Sequence, residues 1–169
     1  MTKILMLSAF FICSTAMAQE IATVVLVKGE ALSGTTALKK GDRIATGSSI
    51  TTKDKSFVRI KFDDQVAIQA GSNTEFKLSR NEKKDNTLLE IVKGEVLSRI
   101  QPKAIFHERF TVKTPQATMG IRGTTLFTHV ANDQHTFLCV CEGKVATRYG
   151  NKEEIIKTTK HDRPIDMVV

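Results

Sequence analysis

From residue 21 onward, apolar and polar residues alternate in short runs and follow no helical period. Phe57-Val58-Arg59-Ile60-Lys61-Phe62 shows this most plainly: Val58, Ile60 and Phe62 share one parity, Arg59 and Lys61 the other. A period of two sends the two sets to opposite faces of a strand, so the segment predicts a strand buried on one side. The same pattern, enriched in Val, Ile, Thr and Phe, predicts strands over Ile21–Val27, Ser56–Phe62, Val66–Ala70, Glu75–Leu78, Thr87–Val92, Val96–Ile100, Phe110–Thr114, Thr124–Val130, Thr136–Cys141, Lys144–Tyr149 and Glu153–Thr158. No segment after the first 18 residues sustains a 3.6-residue period over three turns. Closely spaced strands with Gly, Asp, Asn and Ser between them predict an all-β domain: a sandwich, a roll or a β-solenoid.

An apolar-charged-Gly-charged-apolar frame is shared by Val27–Ala31, Val92–Val96 and Cys141–Val145. Physically it reads as strand, bend at glycine, strand. The unequal intervals exclude a regular repeat. Either the three are equivalent corners along one edge, or they are ordinary glycine bends of a β-protein. Ser79–Asn86 is wholly polar between apolar strands and predicts a hairpin loop; Gln101–Arg109 is a second polar connection.

The start of the chain departs from this pattern. Lys3, the apolar run Ile4–Cys13 and Ala16-Met17-Ala18 form the three parts of a cleavable signal peptide, residues 1–18. The run is short for a membrane span, and Phe11 and Ile12 before Cys13 are too bulky for a lipidation site. The expectation is a periplasmic or secreted protein with a domain over 19–159. The 160–169 tail, which contains Pro164, would add a short edge strand or remain mobile. The formal charge is +7, and +6 without Lys3. Export removes nucleic acid as the partner such a charge would suggest. The basic residues then favour anionic envelope surfaces, or serve as a solvated surface that blocks edge-strand aggregation. Beyond the leader only Cys139 and Cys141 remain, too few for a disulfide framework.

Several phrases, read in order, resemble the FecR family of periplasmic signalling domains. Gly29-Glu30 is followed by Leu38, Gly41-Asp42-Arg43-Ile44 and Thr46-Gly47-Ser48. Then come Gly71–Phe76 and Leu89–Val96. The most specific phrase is Phe110-Thr111-Val112-Lys113-Thr114-Pro115-Gln116-Ala117, continued by Ile121-Arg122-Gly123-Thr124. The likeness spans about Val24 to Tyr149. It departs at Asp63-Asp64-Gln65, where the family has Asp-Gly-Ser. It implies an elongated β-roll or irregular β-solenoid-like domain and a non-enzymatic binding or scaffolding role toward an envelope protein or a cell-wall polymer. Family members that regulate sigma factors carry a cytoplasmic segment and a membrane helix before this domain. Here only a leader-like segment precedes it, so the resemblance implies the fold and a binding role without that circuit.

Two groups of residues carry candidate chemistry. Arg122, flanked by Gly120 and Gly123 and followed by Thr124, could grip an anionic ligand or a partner carboxylate. Alternatively it pairs internally with Asp42 or Asp64, the commoner use of such an arginine. Cys139 and Cys141 share a strand face with His135 and Phe137. Same-face Cβ atoms lie about 6.5–7 Å apart, too far for a disulfide unless the strand bulges. With His135 or His161 the thiols could hold Zn or Cu, or do redox chemistry, which is the alternative function. The plain reading is two small buried apolar residues and no cofactor. His107, His129 and His135 form no spaced ligand motif, and no nucleophile elbow or phosphate loop is present.

Overall fold

The computed structural model describes residues 19–62, 66–81, 83, 86–101, 109–132, 135–158 and 165–168. They form fourteen strands: β1 (Glu20–Lys28), β2 (Ala31–Ser33), β3 (Thr36–Ala37), β4 (Arg43–Ala45), β5 (Ser49–Thr52), β6 (Phe57–Phe62), β7 (Val66–Ala70), β8 (Glu75–Arg80), β9 (Asn86–Ile100), β10 (Arg109–Lys113), β11 (Ala117–Asn132), β12 (His135–Tyr149), β13 (Lys152–Thr158) and β14 (Ile165–Val168). There is no helix among the described residues. The fold is all-β, and its one mixed sheet is open, not closed into a barrel.

The sheet folds over on itself because three of its strands are long enough to serve two layers. The first half of β9 pairs with β8 and, in parallel, with β10; its second half pairs with β7 and β11. β11 and β12 behave alike: Ala117–Arg122 pair with Lys144–Tyr149 in one layer, and Thr125–Asn132 with His135–Glu142 in the other. The first layer therefore runs β3-β2-β5-β8-β9-β10-β11-β12-β13, and the second β4-β1-β6-β7-β9-β11-β12-β14.

At each crossing the inward parity switches. β9 buries Thr87, Leu89 and Ile91 before its bend and Val96, Ser98 and Ile100 after it. β11 buries Met119 and Ile121, then Thr124, Leu126 and Val130. A straight strand would carry one parity throughout and turn half of these residues to water. With the switch, both halves feed one core that includes Ile50, Phe76 and Leu89 from the first layer and Ile60, Ile68 and Leu138 from the second. Phe62 of β6 meets Phe110 of β10 edge-on across it, with ring centroids 6.4 Å apart. The Thr136 hydroxyl of β12 lies 3.1 Å from that of Thr114 and bonds the Gln116 amide oxygen, which joins the layers through polar atoms as well.

The predicted pairs Thr87–Val92 with Val96–Ile100, and Thr136–Cys141 with Lys144–Tyr149, are each one bent strand. β11 begins seven residues before the predicted Thr124. β2 to β5 were not predicted: at two to four residues they are too short to display an alternation. The tail contributes β14, paired with His135–Leu138. Asp63-Asp64-Gln65 lie outside the described residues; the strands beside them form a hairpin closing at Phe62↔Val66.

Candidate functional site

The glycine frame turns out to be a lock built three times. At Gly94 the backbone adopts φ 89°, and a methyl group there would lie 2.6 Å from the Thr74 Cα, so a side chain is excluded twice over. The next amide, Glu95 N–H, donates to Thr74 Oγ1 at 2.9 Å, and that hydroxyl donates to the Ser72 carbonyl at 3.2 Å. The same circuit joins Glu30 N–H to Ser56 Oγ (2.9 Å) and on to the Asp54 carbonyl (3.0 Å). It recurs from Lys144 N–H to Thr124 Oγ1 (3.2 Å) and on to the Arg122 carbonyl (3.1 Å). In each case the residue before the hydroxyl has positive φ: Lys55 at 52°, Asn73 at 52°, Gly123 at 58°. That conformation curls the backbone so that a hydroxyl can reach the carbonyl two residues back, an ST-type turn. Of the two readings of the frame, equivalent corners is the one the hydrogen bonds support.

Thr124 and Gly123 are therefore parts of the frame. So is the rest of the most specific phrase. Phe110, Val112, Ala117, Met119 and Ile121 are inward residues of the β10–β11 hairpin, and the Thr114 hydroxyl accepts from Ala117 N–H at 3.0 Å to close its turn. Arg122 is exposed, and its side chain pairs with no carboxylate among the described residues. Asp42 instead accepts the Lys39 amide at 2.7 Å, and Asp64 lies outside the described residues. Gly120 is on the outward face opposite Ala146, on the floor of a shallow cleft of about 630 Å³ bounded by Ile155 and the Arg148–Glu153 ion pair.

Neither Cys139 nor Cys141 is in a disulfide; the first is buried and the second half-buried. The β11–β12 register slips between Thr125↔Glu142 and Leu126↔Val140, which leaves Cys141 as an extra residue in a bulge. His135 stacks on Phe137 and approaches Asp166 to 3.5 Å; His129 meets the same ring edge-on and approaches Glu95 to 3.5 Å. Both imidazoles thus have partners of their own. Among the described residues no three His, Cys, Asp or Glu come together in a way that could hold a metal ion. His161 and His107 lie outside those residues.

Outward cations differ in what stands beside them. On the first layer Lys93, Lys113 and Arg148 stand in register with Glu75, Glu90 and Glu153, while Arg122, Lys144 and Lys157 stand in register with one another. On the second, Arg99 stands between Ala67 and Thr125, and Arg59 between Leu26 and Gln69. Arg99 is exposed and bonds no described group. Arg59 donates from Nε and Nη2 to Gln69 Oε1 at 3.2 and 3.0 Å, and its guanidinium lies 5.9 Å from the centre of the Phe57 ring. Between the two arginines is a cleft of about 340 Å³ whose lining includes Ala67, Gln69, Leu97 and Thr125. It is continued past Arg99 by a second, of about 280 Å³, reaching Gln101, Gly123 and Glu142. The alternation around Arg59 marks it as outward, yet nothing in the sequence marks either arginine as unneutralised. That depends on which residue of a distant strand faces it.

Comparison with known proteins agrees with the architecture. The family model described as FecR protein matches residues 48–146. No curated protein sequence matches the chain. Two crystal structures of a protein described as a "putative anti-sigma factor" from Parabacteroides distasonis ATCC 8503 are similar, each with a TM-score of 0.58 at 15% identity. Each match covers 71% of this chain and 59% of the other, so the likeness spans less than two thirds of that protein.

Proposed function

Because the chain belongs to the FecR protein family, we propose that it is a non-enzymatic binding module of the bacterial envelope, exported by residues 1–18, that serves signalling by docking another macromolecule. The observation that carries this reading is the division of labour among its residues. The family-like phrases are spent on corners, hairpin and core, while the second layer leaves Arg59 and Arg99 without acid partners among the described residues, beside a cleft. Exposed arginines with no acid in register, one of them held by Gln69, suit recognition of a negatively charged surface. The similar structures, whose protein is described as an anti-sigma factor, favour a protein as the docked partner.

Affinity capture tests the reading. The purified chain and a doubly charge-reversed variant, Arg59→Glu with Arg99→Glu, are immobilised and exposed to envelope extract. The expected result is a component retained by the first and lost by the second, with matching circular dichroism. Identical captures, or turnover of a substrate by the pure chain, would sink the proposal.

A further inference from the structure

Resting on that reading, we infer that the cleft between Arg59 and Arg99 recognises an extended acidic peptide segment of the pattern acidic-x-apolar-x-acidic. Lys93, Lys113 and Arg148 are each matched by a cross-strand acid, whereas these two face Ala67, Thr125, Leu26 and Gln69. Guanidinium groups hold carboxylates through paired N–H donors. Arg59 has two of its five N–H groups committed to Gln69, which sets its plane and leaves three for a ligand.

Spacing gives the pattern. Arg59 and Arg99 lie two strands apart and two residues apart along the strands, since Lys61, Ala67 and Arg99 form one register row and Arg59, Gln69 and Leu97 the next. Sheet geometry puts their backbones about 12 Å apart, which about four residues of extended chain span. Residues i, i+2 and i+4 of such a chain point the same way, so two acids at the ends bring a third side chain over the middle. The midpoint falls between Ala67 and Gln69, with Leu97 next along the lining, so a small and an apolar side chain lie under the third residue. A sugar-phosphate polymer offers anions but nothing to cover that floor; a peptide offers both.

The test is a titration of the ¹⁵N-labelled full chain with a synthetic peptide glutamate-threonine-leucine-threonine-glutamate at low salt. The expected result is shifts centred on the amides of Ala67, Gln69, Leu97 and Arg99. Arg59→Gln, Arg99→Gln, or glutamine at either peptide acid should weaken binding about two- to five-fold each, as for exposed charge pairs. Serine in place of leucine should weaken it as well. Shifts centred elsewhere, or no response to the variants, would overturn the inference. So would inorganic polyphosphate binding at the cleft while the peptide does not, which would instead make it a polyanion site. Envelope capture that survives while the peptide fails overturns the peptide pattern alone; if both fail, the binding-module reading goes with it.

Discussion

Ser56, Thr74 and Thr124 each secure a corner with a single oxygen atom, accepting an amide from the strand past a glycine and donating to a carbonyl two residues back. Thr124→Val keeps the shape and removes both bonds, leaving Lys144 N–H without its acceptor. Denaturant unfolding should show a loss of about 1–3 kcal/mol. Arg122→Ala, next to it but exposed and without a carboxylate partner among the described residues, should stay within about 0.5 kcal/mol of the parent, and a larger loss would mean the guanidinium has a structural role after all. Gly94→Ala combines a positive φ with overlap against Thr74 and should cost more than about 2 kcal/mol in the same measurement. At this scale the sequence displayed the glycines and hid their partners. The hydroxyls lie 20 to 26 residues away, and their only local trace is the preceding residue, Lys55, Asn73 or Gly123, in a conformation uncommon for the first two.

Strands were legible where one parity is continuously apolar, as in β6, β7 and β8. They were misread where parity changes mid-strand. Val92 to Glu95 interrupt the alternation of β9 as a loop would, yet the strand continues: pairing with β8 passes an irregularity at Val92 and reaches Lys93, and pairing with β11 takes over at Gly94 as the faces rotate. The bulge at Cys141 has a chemical consequence on β12. A maleimide applied to the folded chain should label Cys141 well before Cys139, since one is half-buried and the other 4% exposed. Peptide mapping would read the order. Equal labelling would show that this stretch of β12 opens as readily as it binds reagent. The thiols were visible in the sequence; their unequal exposure was not, since it follows from neighbours such as Phe127, which only the register identifies.

For the molecule as a whole, the sequence supplied an all-β chain with a surplus of positive charge but no map of it. The map exists only once strands are laid side by side, which sets some outward cations against acids, as Lys113 against Glu90, and others, as Arg59 and Arg99, against uncharged neighbours. The ion pairs of the first face are exposed, Lys113–Glu90 at 3.0 Å among them, and contribute little to stability. Raising salt from about 0.05 to about 0.5 M should therefore move the unfolding free energy by less than about 1 kcal/mol while releasing any anionic ligand from Arg59 and Arg99. A steep loss of stability with salt would show that the surface charges hold the layers together.

The fifteen residues of β9 have β7 and β8 along one flank and β10 and β11, which come later in the chain, along the other. Everything up to Gln101 supplies only one flank of β9, so until β10 and β11 join, its other flank is a bare template in both layers. Whichever strand arrives first will be accepted there. The race between its own next thirty residues and the matching piece of a neighbour decides whether the chain closes alone or exchanges arms.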